Sequence, residues 1–265
     1  MVGTIQIEHV SKSFQNQHSA GVTHVLDDIS LTAAPGEFIS FIGPSGCGKS
    51  TLLRLISGFI APDSGDILTD GKPVTGPGVD RGFMFQDHVL FPWLTLHDNV
   101  AFGLKAQGKY KERKGEVEEF LRLVGLSGYG DYYPHQVSGG MQQRASLARV
   151  LIGRPNILLL DEPLGALDAF TRMNMQEEIQ EIWLKEKMTM IMVTHDIDEA
   201  VYMSDRVAVM STHPGKIVQI IPIDLPRPRA RDSTEFFRYK AEILKSLHYG
   251  REDEHASGLR AEKLG

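Results

Sequence analysis

The sequence is short of the features that mark secreted, membrane-spanning and nucleic-acid-binding proteins. It has a single cysteine, Cys47, so no disulfide can form within the chain and a reducing compartment is expected. No apolar run approaches the roughly 20 residues needed to cross a bilayer, and the first twenty residues lack a continuous apolar segment, so we expect no signal peptide. The net charge of -6 lacks the basic surplus typical of nucleic-acid-binding proteins. The composition therefore favours a globular, cytosolic protein that does not bind nucleic acid.

The sequence instead contains strand-like segments that alternate with helix-like segments. TIQIEHV alternates apolar and polar side chains as a half-buried strand does, and GEFISFIG, RGFMFQ, NILLLDE, TMIMVTH and RVAVM have the apolar character of buried strands. Helical periodicity marks STLLRLISGF, MNMQEEIQEIWLKEK and DIDEAVYMS. This alternation predicts an α/β fold with a mostly parallel sheet and helices on both faces. Residues 89–153 lack a strong strand signal, and two helix-like stretches there predict a helical insert.

The strongest motif is GPSGCGKST, which lies between a predicted buried strand and a predicted helix. It fits the pattern G-x-x-x-x-G-K-[ST], in which glycines let the backbone curl round phosphates with its N–H groups pointing inward. Lys49 would place a positive charge on the β- and γ-phosphates, and the Ser50 hydroxyl would bind Mg²⁺. The predicted nucleotide-binding residues of this loop are Gly43, Pro44, Ser45, Gly46, Cys47, Gly48, Lys49, Ser50 and Thr51.

An acidic pair, Asp161 and Glu162, ends the predicted strand NILLL. Ligands bind at the carboxyl ends of strands in open α/β sheets. With a phosphate-binding loop upstream, Asp161 would hold Mg²⁺ through water, and Glu162 would polarise the attacking water as general base. Taken alone, two acids after a strand are more typical of a helix N-terminus, and that alternative stays open.

His195 and Gln86 each follow a further predicted strand and would reach the same edge of the sheet. A neutral imidazole at His195 could hydrogen-bond the γ-phosphate or the attacking water. The uncharged amide of Gln86 could contact Mg²⁺ and the water, although a glutamine alone is more typical of a solvated loop. The predicted catalytic residues are therefore Glu162, His195, Gln86 and Lys49. The predicted metal ligands are Ser50, Gln86 and Asp161.

Six motifs, in the order in which they follow one another along the chain, resemble those of the nucleotide-binding subunit of ATP-binding-cassette (ABC) transporters. They are GPSGCGKST, FQ at Gln86, SGGMQQR, ILLLDEP, LGALD and VTHD, and the resemblance extends to about residue 225. It implies a P-loop NTPase core of the RecA-like α/β type, with an N-terminal antiparallel β subdomain and a helical subdomain at about 89–153. It also implies that the cofactors are ATP and Mg²⁺ and that Phe14 stacks on adenine.

The resemblance also explains the second apparent anion site in the sequence, VSGGMQQR. Ser-Gly-Gly at a predicted helix start offers free N–H groups to an anion. In ABC cassettes two subunits pack head to tail, so Ser138, Gly139 and Gly140 of one subunit meet the γ-phosphate held by the other. The implied partner is a second copy of the chain or a related cassette, with Asp168 at the dimer interface.

This stretch departs from the commonest family pattern, LSGGQ, at two positions. Val137 replaces leucine and keeps an apolar side chain before the helix. Met141 replaces glutamine and removes a polar contact to the nucleotide. Because Ser138, both glycines and Gln142 remain, an active site is still expected, with Gln142 among the nucleotide-binding residues.

The segment HVLFPWLTLHDNVAFGL is rich in apolar side chains for a connecting region. Exposed side chains among Phe91, Trp93 and Leu94 would form an apolar groove, which implies a partner. In ABC transporters this region receives the transmembrane permease, which places the chain peripherally on the cytoplasmic face of the inner membrane. GPGVDRG, LDAFTR and PGKIVQIIPIDLPRPR are similar to importer ATPases of the nitrate, sulfonate and taurine group, which work with a substrate-binding protein. The taurine/sulfonate subtype is the preferred one.

The chain is predicted to be a cassette over residues 1–222 with an extension over residues 223–265. DLPRPRARD is rich in proline and arginine and predicts an extended path across the surface. FFRYKAEILKSL predicts a helix with one apolar face, which would dock on the cassette, the dimer partner or the permease. The apolar residues at helical spacing are Phe236, Phe237, Ile243, Leu244 and Leu247. The final REDEHASGLRAEKLG is predicted to be disordered.

Other ABC proteins fit the sequence less well. An ABC ATPase of chromosome maintenance would insert a long coiled coil between the P-loop and the Ser-Gly-Gly helix, where this chain has only residues 52–137. A translation-type ABC factor would have two P-loops, and a non-catalytic module would not need Lys49, Glu162 and His195. The sequence therefore predicts the ATP-hydrolysing subunit of an ABC importer for a small anionic solute such as taurine, an alkanesulfonate or nitrate. A soluble non-transport ABC ATPase is the alternative.

Overall fold

The computed structural model describes residues 3–15, 21–86, 90–165 and 167–261, with the backbone alone for 248–261. Its strands are β1 (Ile5–Gln15), β2 (Val22–Ala33), β3 (Phe38–Ile42), β4 (Ser64–Thr69), β5 (Lys72–Pro73), β6 (Arg81–Met84), β7 (Ile157–Asp161), β8 (Thr189–Thr194), β9 (Arg206–Met210) and β10 (Ile217–Pro222). Its helices are α1 (Lys49–Ser57), α2 (Leu96–Ala106), α3 (Tyr110–Arg113), α4 (Glu116–Leu123), α5 (Gly139–Leu151), α6 (Ala169–Glu186), α7 (Ile197–Met203) and α8 (Thr234–Ala261). Within the described part of the chain, no helix is long and apolar enough to cross a membrane.

The chain divides into two compact units. Unit 1 comprises Met1–Pro77 and Ile191–Gly265, and unit 2 comprises Gly78–Met190. The boundary falls inside β8, which is buried along its whole length. Unit 2 is larger than the predicted helical insert because it also contains β6, β7 and α6.

Unit 1 contains an antiparallel sheet with the strand order β2-β1-β4-β5. Ile5 of β1 lies opposite Ala33 of β2 on one side and Thr69 of β4 on the other, and all three are buried. β4 and β5 form a hairpin whose turn residues, Asp70 and Gly71, both have positive φ. The sequence interpretation found only turns in this stretch, because two short polar strands lack an apolar run.

The remaining strands of unit 1 carry the predicted phosphate-binding loop. β3 runs parallel to β9, and β9 pairs antiparallel with β10. Every residue of β3 is buried, as its apolar character predicted. α1 begins directly after the loop and ends at Ser57, where Gly58 takes the left-handed conformation with φ of 81°. The predicted strand–loop–helix arrangement is therefore confirmed.

Unit 2 combines a parallel strand pair with a helical core. β6 and β7 are parallel, and all of β7 is buried. Four positions at helical spacing, Met141, Ala145 and Ala148 on α5 and Ile152 at its C-cap, pack into one apolar cluster with Leu96 and Leu104 of α2 and Leu121 of α4. The sequence interpretation did not predict α2, although Thr95 is a residue type preferred at the N-cap of a helix. In the structure the Thr95 side chain caps α2 by accepting a hydrogen bond from Asp98 N at 3.2 Å.

The proline- and arginine-rich extension forms neither helix nor strand over residues 224–232 and is exposed at Asp224, Pro226, Pro228 and Ala230, as an extended path across the surface predicts. The prediction missed one anchor, because Arg229 within this stretch is buried. Arg229 donates to the carbonyl oxygens of Val201 (2.5 Å) and Ser204 (2.6 Å), at the C-terminal end of α7, and to Ile223 O (3.0 Å). Carbonyl groups at a helix end lack partners within the helix, so a fork of N–H donors can satisfy several of them at once. Burial, and secondarily Arg227, lowers the pKa of Arg229 to about 10, which keeps it charged at neutral pH.

Helix α8 docks on its own unit through only part of the predicted apolar face. Phe236 and Ile243 are buried against α7, β9 and β10, whereas Phe237 and Leu244 are exposed. Neighbouring positions on a helix lie about 100° apart, and here positions 237 and 244 lie beside the stripe that buries 236 and 243. The predicted disordered end also differs: α8 continues to Ala261. Residues 251–261 contain several good helix formers (Glu, Ala, Arg and Leu), which explains the continuation.

Candidate functional site

The glycines of the loop after β3 are required by its geometry. Gly46 and Gly48 have φ of 83° and 93°, a region that favours glycine. A Cβ on Gly48 would lie 2.6 Å from Leu26 Cδ2, and one on Gly43 would lie 2.7 Å from Met210 O. The loop can therefore follow its tight path only with glycine at these positions.

Lys49 closes the loop from the inside. Its Nζ donates to the carbonyl oxygens of Gly43 (2.7 Å) and Pro44 (3.0 Å) and lies 3.6 Å from Cys47 Sγ. Both Lys49 and Cys47 are buried, and burial raises the pKa of the Cys47 thiol. The ammonium group is thus held inside the loop, next to the backbone that would surround a phosphate.

The N-terminal end of α1 fits an anion such as the phosphates of ATP. Gly48 occupies the N-cap and supplies no side-chain acceptor for the N–H groups of the first turn. An anion held there would meet backbone N–H groups, the positive end of the helix dipole and Lys49. Ser50 and Thr51 lie in that first turn and are half-buried.

His195 shares a cavity with the start of the loop. The cavity has a volume of about 320 Å³ and belongs to unit 1. Its lining residues are Ile42, Gly43, Pro44, Ser45, His195, Leu244 and Leu247. Two predicted elements of the site are therefore brought together, and two leucines of α8 join them, which sequence reasoning did not anticipate.

The backbone on both sides of His195 is fixed by a buried pair of side chains. The Thr194 hydroxyl donates a hydrogen bond to the Glu199 carboxylate, and it accepts one from Asp196 N at 3.0 Å. The Asp196 side chain in turn caps α7 by accepting from Glu199 N at 3.2 Å. These contacts hold the turn in which the exposed His195 stands.

Phe14, predicted to stack on adenine, lies near the end of β1 with 41% of its surface exposed. It is not a core residue, and the Lys12 ammonium lies 5.5 Å from its ring centroid. An exposed aromatic face is what stacking on a base requires. Adenine stacking itself stays a prediction.

In unit 2 the acidic pair and the predicted glutamine lie close together. Asp161 is buried at the end of β7, and Glu162 follows it in the left-handed conformation, with φ of 46°. Gln86 Nε2 lies 3.4 Å from Glu162 Oε2 and donates to it. A non-glycine residue with positive φ is uncommon and marks a constrained position, here one that turns the Glu162 carboxylate toward Gln86. Gln86 is therefore not an isolated loop residue, because its side chain contacts the carboxylate of Glu162.

The Ser-Gly-Gly motif begins α5 as predicted. Ser138 is the N-cap, and its hydroxyl accepts a hydrogen bond from Met141 N at 3.3 Å. Ser138 and Gly139 are exposed, while Gly140 lies against Leu167, whose Cδ2 would be 3.1 Å from an added Cβ. The start of this helix thus presents its N–H groups at an accessible surface.

The two neighbours of this motif have structural roles that the sequence left open. Met141 and Val137 both pack against the apolar cluster of the helical core. Gln142 Nε2 donates to the carbonyl oxygens of Pro134 (2.9 Å) and Val137 (3.4 Å), which fixes the loop before the helix. Met141, which stands where the family pattern has glutamine, therefore contributes to the apolar core. The predicted contact of Gln142 with nucleotide stays a prediction.

Asp168 caps α6. Its carboxylate accepts hydrogen bonds from Phe170 N (3.1 Å), Thr171 N (3.0 Å) and the Thr171 hydroxyl (2.7 Å). The Thr171 N–H and hydroxyl, with the Phe170 N–H, hold the pKa of this exposed carboxyl below its ordinary value. The carboxylate is thus ionised and oriented at an exposed helix start.

The predicted partner-binding segment is held in shape by Asn99, which sequence reasoning missed. Asn99 is fully buried; its Oδ1 accepts from Phe91 N at 2.8 Å. Its Nδ2 donates to the carbonyl oxygens of Phe91, Leu94 and Thr95 at 3.0–3.1 Å. One amide thereby ties both ends of the loop to α2.

This loop presents an aromatic surface. Trp93 is 71% exposed, and its ring centroid lies 5.5 Å from that of Phe91, which in turn lies 4.6 Å from that of Phe102. The Arg149 guanidinium lies 5.6 Å from the Phe91 ring, and burial lowers the pKa of Arg149. Of the three residues predicted to form an apolar groove, Trp93 is exposed, and Phe91 and Leu94 are half-buried.

Comparison with known sequences places these features in one family. A family model described as ABC transporter matches residues 26–165, more than half of the 265 residues, and the chain belongs to that family. An aliphatic sulfonates import ATP-binding protein, SsuB of Bacillus cereus, is 47% identical over 247 residues, covering 93% of this chain and 97% of that protein. An uncharacterized ABC transporter ATP-binding protein of Methanocaldococcus jannaschii is 49% identical over 244 residues, covering 92% and 91%.

Comparison with solved structures agrees. A dimeric ATP-binding cassette in a post-hydrolysis state, bound to ADP and Pi, is similar with a TM-score of 0.73 and 29% identity, covering 83% of this chain and 98% of that one. A dimeric bacterial ABC transporter cassette is similar with the same TM-score and 30% identity, again covering 83% and 98%. This likeness confirms the predicted α/β fold of a P-loop ATPase cassette.

Proposed function

We propose that this chain, which belongs to the ABC transporter family of ATP-binding proteins, drives the uptake of a small organic sulfonate. As a member of that family it is an ATPase. The observation that carries the solute class is the 47% identity to an aliphatic sulfonate import protein over nearly the full length of both chains. Taurine or an alkanesulfonate is the preferred solute, with nitrate as the alternative.

In the proposed reaction the loop of unit 1 holds the phosphates of ATP. Lys49 and the N–H groups at the start of α1 bind the phosphates, and the exposed ring of Phe14 receives the adenine. The predicted metal ligands, Ser50, Asp161 and Gln86, are oxygen donors, which suits Mg²⁺. When bound there, Mg²⁺ would neutralise charge on the phosphate oxygens.

Hydrolysis needs a base that removes a proton from the attacking water. Glu162 is assigned that role, and the Gln86 amide, 3.4 Å away, would help to orient the same water. His195 borders the start of the loop and would donate or accept a hydrogen bond at the γ-phosphate. The contacts of Thr194 and Glu199 would keep this imidazole in place.

Each site is proposed to be completed by a second cassette, a copy of this chain or a related one. The exposed N-terminus of α5, with Ser138, Gly139 and Gly140, would meet the γ-phosphate held on the partner's loop. Asp168 would lie at the same interface and couple the two sites. The dimer would close when ATP binds and open after hydrolysis, and this movement would drive transport.

The aromatic surface around Phe91–Leu94 is proposed to receive the transmembrane permease. An exposed Trp93 beside Phe91 and Phe102 is a surface that favours a partner. Through this contact the chain would lie peripherally on the cytoplasmic face of the inner membrane. A substrate-binding protein would deliver the solute to the permease from the other side.

The solute class is tested by reconstitution. The chain is purified from membranes with its permease, placed in proteoliposomes, and supplied with the binding protein and labelled taurine, an alkanesulfonate or nitrate. ATP-dependent uptake of a sulfonate is the expected result, and Lys49→Ala should abolish it. Uptake of nitrate alone would contradict the sulfonate assignment. Purification without any multi-span protein would contradict the transport function.

The catalytic and dimer assignments are tested together by Glu162→Gln. ATP binding should persist, hydrolysis should fall by at least about a hundredfold, and ATP should trap a dimer on a sizing column. Ser138→Arg in the same background should bind ATP but remain monomeric, because a guanidinium would occupy the partner's phosphate position. Turnover of Glu162→Gln at the wild-type rate would refute the base assignment.

A further inference from the structure

Helix α8 exposes an apolar edge beside the nucleotide loop of its own unit. Leu244 is 44% exposed and Leu247 is half-buried, and they lie one helical turn apart. Both line the cavity that also contains Ser45 and His195. The leucines therefore continue, as an apolar wall, the surface formed by the loop and the histidine.

A second exposed apolar patch lies at the start of α6. Phe170 is 73% exposed and Met173 is 44% exposed, and their spacing of three residues places them side by side on the helix. They follow Asp168, which caps the same helix and whose carboxylate is held by Phe170 N and Thr171 N. The patch is thus attached rigidly to the residue predicted to lie at the dimer interface.

We propose that these two patches pack on each other between subunits, so that Phe170 and Met173 of one copy contact Leu244 and Leu247 of the other. The inference rests on the proposed head-to-tail dimer. In that dimer, Asp168 of one subunit is proposed to lie at the interface where the start of its α5 meets the phosphate on the other subunit's nucleotide loop. Phe170 follows Asp168 by two residues, and Leu244 borders the loop's own cavity, so both patches lie at one interface.

The chemistry of the two patches suits a contact between two copies of the chain. One patch consists of an aromatic and a sulfur-containing side chain and the other of two leucines; such side chains bury well against one another and carry no charge that would need a partner. A two-fold axis makes the contact twice in each dimer, once at each nucleotide site. The extension would thereby take part in the ATP-dependent closure instead of serving only as a support for its own unit.

Cysteine cross-linking tests the contact with little background, because the one native cysteine, Cys47, is buried. Phe170→Cys and Leu244→Cys are combined in the Glu162→Gln chain and treated with a short bismaleimide, with and without ATP. The matched control combines Phe170→Cys with Phe237→Cys, which is exposed on α8 but two turns, about 10 Å, from position 244. We expect an ATP-dependent covalent dimer with Leu244→Cys, at least about fivefold more abundant than with the control.

The outcomes separate this inference from the proposed function. An ATP-dependent dimer on the sizing column that fails to cross-link would overturn the contact and leave the dimer intact. Absence of any ATP-dependent dimer would contradict the proposed function itself. Cross-linking of Leu244→Cys alone, or of Leu244→Cys to the permease in membranes, would show that α8 has a different neighbour and would also overturn the proposal.

A charge exchange provides a second test that does not depend on a reagent. Leu244→Lys and Phe170→Glu should each weaken ATP-dependent dimerisation by about tenfold, because each places a lone charge in an apolar contact. The double variant should recover to within about threefold of the parent, since each new charge then meets its opposite across the interface. Circular dichroism checks that each variant is folded. Two weakened single variants without recovery in the double variant would refute the pairing.

Discussion

The hydrogen bonds of Asn99 predict that one buried amide determines the shape of the aromatic loop. We expect Asn99→Leu to destabilise unit 2 and to release the segment from Phe91 to Thr95. Leucine has a similar size, so the change removes hydrogen bonds without leaving a large cavity. Asn99→Asp should be worse than Asn99→Leu, because a carboxylate would face the three carbonyl oxygens to which Nδ2 now donates.

The magnitude follows from these bonds. Nδ2 carries two hydrogens, so its three contacts share two donors, and with the bond to Oδ1 the side chain makes three full hydrogen bonds. At about 1 kcal/mol of net stabilisation per bond, they total about 3 kcal/mol. Several of the loop groups are only partly buried, so water can replace some of the lost bonds. We therefore expect Asn99→Leu to lower the free energy of unfolding of unit 2 by about 2–3 kcal/mol. Asn174→Leu, at an exposed position on α6, should change it by less than about 0.5 kcal/mol.

The chain offers a suitable probe for this measurement. Both of its tryptophans, Trp93 and Trp183, lie in unit 2, so urea unfolding followed by tryptophan fluorescence reports on that unit. Trp93 lies in the loop and is exposed, whereas Trp183 is buried, so Trp183→Phe isolates the loop signal. An Asn99→Leu chain with wild-type stability, or an Asn99→Asp chain more stable than Asn99→Leu, would refute the reasoning.

Two further predictions concern the nucleotide loop and the cap of α6. Gly48→Ala should abolish nucleotide binding and cost about 2 kcal/mol or more, because alanine at φ of 93° would also meet Leu26; Gly71→Ala, with φ of 72° and no atom within 4 Å, should cost only about 1 kcal/mol. Thermal unfolding and a fluorescent nucleotide check both, and equal costs would contradict the role of Leu26. Asp168 should titrate below 3.8, because N–H and hydroxyl donors favour its ionised form. Its folded-state pKa is depressed, so its stabilisation is present above the unfolded-state pKa and is lost as the pH falls through the folded-state value. Asp168→Asn should keep the cap and flatten that acid dependence, which carbon NMR titration and acid unfolding can measure, whereas a wild-type Asp168 that titrates at or above 3.8 would contradict this.

The parts of the molecule that sequence predicted well are those determined locally. The buried strands β3 and β7 are continuous apolar runs, and the loop after β3 follows from its glycines and Lys49. The cap of α5 by Ser138 is likewise a property of neighbouring residues. In each case the physical cause lies within a few positions of the residue concerned.

The parts that sequence missed depend on contacts between distant segments. Nothing near Arg229 indicates that it will be buried, because the carbonyl groups that receive it belong to α7, 25 or more positions earlier. The separation of Phe237 and Leu244 from Phe236 and Ile243 required the position of α8 on its unit. The role of Asn99 was missed together with α2; a buried polar side chain demands partners, but its burial is visible only once the helix is placed.

The burial of Arg229 makes the C-terminal extension a support for the end of α7. The predicted cassette boundary, residue 222, precedes the arginine, so a chain that ended there would leave the end of α7 without these donors. That helix starts immediately after the turn that carries His195. Removing the extension would leave the carbonyl groups of Val201 and Ser204 to water, so truncation at residue 222 should loosen the segment that follows His195 as well as the new end of the chain.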